Sequence, residues 1–118
     1  MNVFRSLIVW RDSIDLIKRV YKVADTLPKT EEYNLKQQLK RAVVSVALNI
    51  AEGKTRRTGK EFLHFLSISS GSISEVEAIL AISEELGYLR IESDLWDDIG
   101  LLGKKINSLR SNLESKCN

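Results

Sequence analysis

Helix-breaking residues are rare in this sequence. Pro28 is the only proline among 118 residues, and the six glycines are scattered along the chain. Proline and glycine punctuate secondary structure, so a chain with few of them favours long helices over many short strands. The length suits one hydrophobic core. We therefore expect a single domain over residues 1–118, built from a few long helices.

Apolar residues recur at helical spacing in four segments. In the first segment they are separated by four, three, four and three positions: Trp10, Ile14, Ile17, Tyr21 and Ala24. This spacing places them on one face of an amphipathic helix. The stripe is widened by Leu16, Val20, Val23 and Leu27, so we expect this helix to be well buried. With short connections between the segments, the pattern predicts an all-α fold, an antiparallel up-down four-helix bundle. The helices are expected at about residues 7–26, 31–52, 59–86 and 94–114.

Individual residues predict where these helices begin and end. Thr30 is a plausible N-cap for the second helix, and Gly53 is expected to end it as a left-handed C-terminal cap. Thr58 and Glu61 have the spacing of a capping box, which opens the third helix. Gly87 is expected to end that helix.

The second predicted helix is apolar on two opposite sides. Its core face consists of Leu35, Leu39, Val43, Val46 and Ile50, and its second face of Val44, Ala47, Leu48 and Ala51. A surface helix normally carries charge opposite the core, and contiguous exposed apolar patches mark interaction sites. We predict self-association through the second face. The alternative is that Val44 and Leu48 are isolated apolar surface residues, which are common.

A polar stripe separates the two apolar faces of this helix. It consists of Asn34, Gln38, Arg41, Ser45, Asn49 and Glu52. One interpretation is a surface that contacts a ligand or phosphate. The other, which we favour because buried polar groups are usually paired, is a structural network that fixes helix register or satisfies groups at a subunit seam. Glu52 opposes the helix dipole, so we expect a cation partner such as Arg41, Arg56 or Arg57.

Charged residues are segregated along the chain. Between residues 61 and 98 there are nine acids and one base, Arg90, whereas seven basic residues and one acid lie between 36 and 60. The seven are Lys36, Lys40, Arg41, Lys54, Arg56, Arg57 and Lys60, the last four in or beside one short loop. They are candidates for binding the RNA or DNA backbone, with salt-dependent affinity and little base reading. The alternative is a protein-protein scaffold in which they increase solubility or pair with a neighbouring subunit's acids.

The sequence offers few residues for catalysis. His64 is the only histidine, so no histidine-based metal cluster can form, and no phosphate-binding glycine loop is present. We predict no enzyme activity, no metal site and no cofactor. Arg57 and His64 resemble the arginine–histidine motif of the HEPN helical ribonucleases. No second histidine or acid supports such a site, and a general base needs partners within reach. A ribonuclease is therefore the least favoured alternative.

Cysteine usage and hydropathy indicate a cellular compartment. Cys117 is the only cysteine, so no intramolecular disulfide can form, which fits a reducing compartment. The first residues lack the apolar run of a signal peptide, and no segment approaches the composition of a membrane span. We expect a cytoplasmic protein with no membrane partner.

Several motifs of the chain match those of one family. They are the run Leu35-Lys-Gln-Gln-Leu-Lys-Arg-Ala42, then Ser45 and Asn49-Ile-Ala-Glu-Gly53, together with Trp10, Leu27-Pro28, Glu32-Tyr33, Arg56, Phe65 and Gly71-Ser72 followed by Glu75. Over nearly its whole length the sequence resembles the four helix bundle proteins encoded by intervening sequences in bacterial large-subunit ribosomal RNA genes. It departs from them at Asn34, where the family often has glycine.

The resemblance implies further properties. It implies a ring-like homo-oligomer, a pentamer. Related proteins serve as accessory factors of diversity-generating retroelements, where they bind nucleic acid and a reverse transcriptase. A gene inside a ribosomal RNA gene does not by itself establish that its product binds the ribosome.

Overall fold

A computed structural model describes residues 2–117, and the side chain of Cys117 lies outside its described part. The described residues form no strand. They form four α-helices: α1, Ile8–Ala24; α2, Leu35–Lys54; α3, Gly59–Glu85; and α4, Ser93–Cys117. Two short 3-10 turns complete the chain, Val3–Ser6, which we call the N-terminal turn, and Lys29–Glu31.

The four helices pack as neighbours around one core. α1 lies against α2, α2 against α3, α3 against α4, and α4 against α1. The longest dimension of the molecule is 46 Å, and α3, with 27 residues, is about 40 Å long at the usual rise. The helices therefore run along the long axis, and the predicted four-helix bundle is confirmed. Fully buried side chains come from every helix, among them Val20, Leu39, Val46, Leu66, Leu80, Ile99 and Ile106.

The buried face of α1 is centred on Leu16 and Val20, two of the residues expected to widen the stripe, and not on the stripe itself. Its buried residues are Val9, Ser13, Leu16, Val20 and Ala24. Of the predicted stripe only Ala24 is fully covered, and Tyr21 is 36% exposed. Trp10 is half-buried: it packs against the core and also against Phe4 of the N-terminal turn, with ring centroids 5.1 Å apart. The apolar arc of α1 is wide enough to serve both the core and this turn.

The start of α2 was predicted four residues too early. Thr30 is not its N-cap, because residues Lys29–Glu31 form a 3-10 turn and α2 begins at Leu35. Asn34 has φ −130° and ψ −99°, outside the helical region, which separates the two segments. The carboxylate of Glu31 accepts hydrogen bonds from Asn34 Nδ2 and from the hydroxyl of Tyr88, both at 2.9 Å. These bonds fix the segment before α2 against the chain that follows α3.

Gly53 does not act as a left-handed cap. It lies inside α2 and is buried, and Gly87 alone among the described residues has a positive φ, 77°. A Cβ atom on Gly53 would lie 2.8 Å from Phe62 Cδ1 and 2.9 Å from Phe65 Cβ. The position therefore requires glycine because α3 approaches the backbone of α2 closely. The predicted end of α3 at Gly87 is confirmed.

The first turn of α3 has its predicted cap. Thr58 Oγ1 accepts a hydrogen bond from the backbone N–H of Glu61 at 3.1 Å, so α3 begins at Gly59. By length and composition alone α3 is also a candidate membrane span, contrary to the sequence-based expectation. Its residues Leu66, Val76 and Leu80 are fully buried in the bundle, and packing of this kind accounts for an apolar composition in a core helix.

Candidate nucleic-acid interface

Four exposed cations lie at one end of the bundle, where α2 turns into α3. Lys54 is the last residue of α2, Arg56 and Arg57 lie in the connecting loop, and Lys60 lies in the first turn of α3. The loop is short because Thr55 still donates to the carbonyl of Ala51 and α3 starts four residues later. The two helix ends thus hold the four cations together. We call these four residues the basic end.

Two phenylalanines of α3 support the basic end. The guanidinium carbon of Arg56 lies 4.9 Å from the centroid of the Phe65 ring, and Lys54 Nζ lies 5.7 Å from that of Phe62. Cation–π contacts of this kind are worth about 0.5–1 kcal/mol at exposed sites, and they position a cation without neutralising its charge. Arg56 Nη2 also lies 3.1 Å from Glu52 Oε1. The expected cation partner of Glu52 is therefore confirmed as Arg56.

An open pocket adjoins the basic end. Its volume is about 540 Å³, and it is lined by Arg56, Lys60, Glu61, His64 and Phe65. We call it the loop pocket. The rings of His64 and Phe65 meet edge to face, with centroids 5.4 Å apart and planes at 72°. The sequence pattern identified the two cations of this pocket but not Glu61 or Phe65 as lining residues. Those become evident only when the first two turns of α3 fold beside the loop.

Arg57 does not line the loop pocket that contains His64. Arg57 precedes the cap residue Thr58, so it lies in the loop, whereas His64 lies one turn into the helix. No group of three or more metal-ligating side chains occurs within the described ranges. The structure therefore does not bring the two residues of the ribonuclease alternative into one pocket, although an acid, Glu61, lines the pocket of His64.

Lys36 and Lys40 make ion pairs at the opposite end of α2. Lys40 Nζ lies 2.9 Å from Asp25 Oδ1, and Lys36 Nζ lies 3.1 Å from Glu32 Oε1 and 3.5 Å from Asp25 Oδ1. The hydrogen bond from Lys40 holds the pKa of Asp25 below its ordinary value, and the hydrogen bond to Glu32 raises the pKa of Lys36. These contacts join the start of α2 to the end of α1.

Three of the seven predicted basic residues lie far from the basic end along α2. Lys40 is 14 positions before Lys54 on the same helix, which is about 21 Å at the rise of an α-helix. Lys36 is further away, and Arg41 is exposed on α2 about 20 Å from Lys54. Of the seven, the structure brings together Lys54, Arg56, Arg57 and Lys60, and the candidate interface consists of these four.

The second apolar face of α2 is largely covered by the chain itself. Ala47 is only 5% exposed, so the prediction that it is free for a partner is wrong. Val44 is half-buried and packs against the core, so only part of its side chain is accessible. α2 lies between α1 and α3, and the N-terminal turn also packs on it. Leu48 remains 63% exposed. With Phe4, Ala51 and Phe65, it lines a shallow groove of about 460 Å³, which we call the Leu48 groove.

The polar stripe of α2 divides into two parts. Ser45 and Asn49 belong to a network at the seam with α3, where Asn49 Nδ2 donates to the carbonyl and hydroxyl oxygens of Ser45 at 2.8 and 2.9 Å. The hydroxyl of Ser72 donates to Ser45 Oγ at 2.8 Å. This arrangement supports the structural interpretation for these two residues. Gln38 and Arg41 are exposed, and Gln38 Nε2 bonds to Asn34.

A second set of ion pairs links α1 to the start of α4. Arg19 lies 2.5 Å from Asp94, 2.8 Å from Asp98 and 3.6 Å from Glu92. The hydrogen bond from Arg19 is the main reason that the pKa of Asp94 lies below its usual value. More than seventy positions separate Arg19 from its partners, so the sequence pattern gave no indication of this cluster.

The fold and this surface define a class: a small, all-α bundle protein with one basic, aromatic-supported end. The chain belongs to the family of 23S rRNA-intervening sequence proteins, whose model matches residues 5–108. The family resemblance of the α2 motifs is therefore confirmed. Among curated proteins, none matches the sequence significantly.

One solved structure is similar along almost the full length of both chains. It is a protein of unknown function from the S23 ribosomal protein family of Bacteroides thetaiotaomicron, with 21% sequence identity and a TM-score of 0.70. The match covers 90% of this chain and 97% of that one. At this identity the similarity establishes the shared bundle fold.

Proposed function

We propose that the chain is a non-enzymatic, self-associating accessory protein that binds RNA or DNA through the basic end. The observation that carries this proposal is the grouping of four exposed cations at one end of the bundle, two of them supported by phenyl rings. Lys54, Arg57 and Lys60 make no ion pair within the described part of the chain, so their charges are available to an external anion.

Phosphate is the anion that this arrangement suits best. Arginine presents its donors as a planar fork that matches phosphate oxygens, and lysine contributes a compact point charge. Each phosphate neutralised releases a condensed counterion, so binding weakens steeply as salt rises. Contacts of this kind hold the backbone and read few bases. The proposed interface therefore accepts many sequences.

Self-association increases the field of the basic end. The Leu48 groove is an exposed apolar surface beside the same loop, and a second copy of the chain is its proposed occupant. A ring of five, as the family resemblance implies, would carry five copies of the loop. Their combined positive field would raise the local concentration of an anionic ligand such as nucleic acid. A reverse transcriptase or ribonucleoprotein is the proposed protein partner, and the cytoplasm the proposed location.

A second candidate function is a homo-oligomeric scaffold without nucleic-acid binding. It is favoured by the exposed acids around Arg19, where Glu92, Asp94 and Asp98 are each at least 60% exposed. In a scaffold these acids would pair with the basic end of a neighbouring copy. The two functions differ in one measurable property, because only the first gives affinity for nucleic acid.

Affinity for a labelled RNA duplex, measured by fluorescence anisotropy at low salt, tests the proposal. We expect the wild type to bind and Arg57→Ala/Lys60→Ala to bind about tenfold or more weakly, with a salt slope reduced by about two. The matched control is Lys18→Ala/Lys22→Ala, which removes two exposed charges from α1. Equal losses in both variants would show that net charge, not the loop, governs binding. No binding by the wild type would favour the scaffold.

A further inference from the structure

The loop pocket contains groups that a pure phosphate-binding surface does not need. Glu61 places a carboxylate beside Arg56 and Lys60, and an acid there weakens the attraction for a polyanion. Within the described residues Glu61 forms no ion pair. Its place in the first turn of α3 also suits the helix dipole, and this role leaves its carboxylate accessible at the pocket. The ring of His64 is exposed at the same pocket. A carboxylate, an imidazole and a guanidinium in one concave surface suit a ligand with both a flat ring and hydrogen-bond donors.

Arg56 is held in place as a platform. The centroid of the Phe65 ring lies 4.9 Å from its guanidinium carbon, and Glu52 Oε1 forms an ion pair with its Nη2 at 3.1 Å. The side chain is nevertheless 43% exposed. Unpaired bases stack on guanidinium planes and on aromatic rings, including the ring of histidine. A volume of about 540 Å³ lies in the range of small-ligand sites.

We infer that the loop pocket binds one unpaired base of a single-stranded nucleic acid, with Glu61 as the acceptor for the base edge. The base stacks against Arg56 or His64, and Lys60 contacts the adjoining phosphate. Guanine fits best, because its N1–H and N2–H donate from the same edge to the two oxygens of a carboxylate. Uracil offers one donor, N3–H, between two carbonyl oxygens. A carboxylate accepts from the donor but is repelled by the two oxygens. The inference rests on the proposed backbone binding and adds one base contact to it.

The test compares three short RNAs of equal length and charge by fluorescence anisotropy at low salt. One consists of uridines, one has a single unpaired guanosine among uridines, and one is a hairpin in which the guanosine is paired. We expect the wild type to prefer the unpaired guanosine over the other two by about fivefold or more. Free guanosine monophosphate, added as competitor, distinguishes a site for nucleotides in general from one that needs the strand.

Two variants that each remove one negative charge test whether Glu61 causes the preference for the unpaired guanosine. Glu61→Gln is expected to bind all three RNAs somewhat more tightly but to lose the preference for the unpaired guanosine. Glu77→Gln removes one exposed acid from the same helix outside the pocket and is expected to keep the preference. His64→Ala is expected to weaken single-strand binding alone.

Equal wild-type affinity for the three RNAs would overturn the base site and leave the proposed backbone binding intact. Retention of the preference in Glu61→Gln would also overturn it. No affinity for any of the RNAs would overturn both the base site and the proposed function. Displacement of the guanosine-containing strand by the monophosphate alone at similar concentration would limit the site to free nucleotides and contradict the single-strand inference.

Discussion

The guanidinium carbon of Arg56 lies 4.9 Å from the ring centroid of Phe65. Gly53 leaves room for Phe65 at this position, since a Cβ on that glycine would come within 2.9 Å of Phe65 Cβ. A packing requirement of the bundle therefore positions a cation of the basic end. The close approach of α2 and α3 and the geometry of the proposed interface have one physical origin.

Substitution of Gly53 tests this connection. In Gly53→Ala the new methyl group meets Phe65 Cβ and the carbonyl of Phe62, which cannot move without the helix backbone. An overpacking cost near the top of the usual range of about 1–3 kcal/mol exceeds the gain in helix propensity of about 1 kcal/mol. We expect urea denaturation to show a net loss in the free energy of unfolding of about 1–2 kcal/mol.

Gly71→Ala is the matched control. Gly71 also lies within a helix, but a Cβ there would have no atom within 4 Å. The change in the free energy of unfolding then reflects helix propensity alone, and the variant should be more stable by about 0.5–1 kcal/mol. If both variants shift stability in the same direction, close packing at Gly53 is not the reason for that glycine.

Local signals in the sequence predicted the bundle and several helix ends. Thr58 and Gly87 determine the ends of α3 through their own hydrogen bonds and backbone angle, so they can be recognised without tertiary structure. Gly53 could not be interpreted in this way, because its role comes from Phe62 and Phe65 of another helix. A glycine near a helix end can either adopt the positive φ of a cap or allow another helix to approach closely. Its spacing from other residues does not distinguish these two roles.

The candidate site was predicted in part for the same reason. Exposed loop cations are visible as a cluster in the sequence, and four of the seven stayed together. Lys36 and Lys40 were not recognisable as structural, since their partner Asp25 precedes them across the connection between α1 and α2. Ala47 was assigned to an interface because α2 periodicity does not reveal that the N-terminal turn and α1 also pack on this helix.

The Ser45–Asn49 network is expected to contribute to stability and not to nucleic-acid binding. Asn49→Ala removes two hydrogen bonds to Ser45 at a half-buried position. Bonds of this kind contribute about 0.5–1.5 kcal/mol each, so thermal unfolding should show a loss of about 1–3 kcal/mol for the two. RNA affinity at a temperature where the variant is folded should match the wild type. A variant of normal stability with reduced affinity would assign the stripe to ligand binding instead.

The Arg19 cluster makes stability depend on pH on the acid side. The hydrogen bond from Arg19 lowers the pKa of Asp94 in the folded chain below 3.8, the value expected when unfolded. Folding thus favours the ionised form of Asp94, so the Arg19–Asp94 contact adds to the free energy of unfolding. Its contribution is complete well above pH 3.8 and is lost as pH falls through the pKa of Asp94 in the folded chain. In Arg19→Met the contribution is absent at every pH. The difference in melting temperature between wild type and variant should therefore shrink below pH 3.8.

Lys18→Met serves as the control for that experiment, because Lys18 is exposed on the same helix and makes no ion pair in the described part of the chain. Its melting temperature should follow the wild-type curve at all pH values. A difference between wild type and Arg19→Met that stays constant down to pH 2 would contradict the assignment of the Asp94 pKa to Arg19.

Self-association through the Leu48 groove is tested by solution mass. Leu48→Glu places a charge on a side chain that is 63% exposed, so the folded monomer should tolerate it while an apolar interface would not. Light scattering should give a multiple of the 13.4 kDa chain mass for the wild type and a single chain for the variant. Leu101→Glu, at a position 52% exposed on α4, should keep the wild-type mass. A monomeric wild type would remove the interface.

The most direct measurement for the basic end is lysine labelling with an amine-reactive reagent, read by mass spectrometry with and without an RNA duplex. The proposal predicts that RNA reduces labelling of Lys54 and Lys60 several-fold and leaves exposed Lys18 and Lys22 unchanged. Protection of Lys18 and Lys22 in place of Lys54 and Lys60, or equal labelling of all four at saturating RNA, would contradict it.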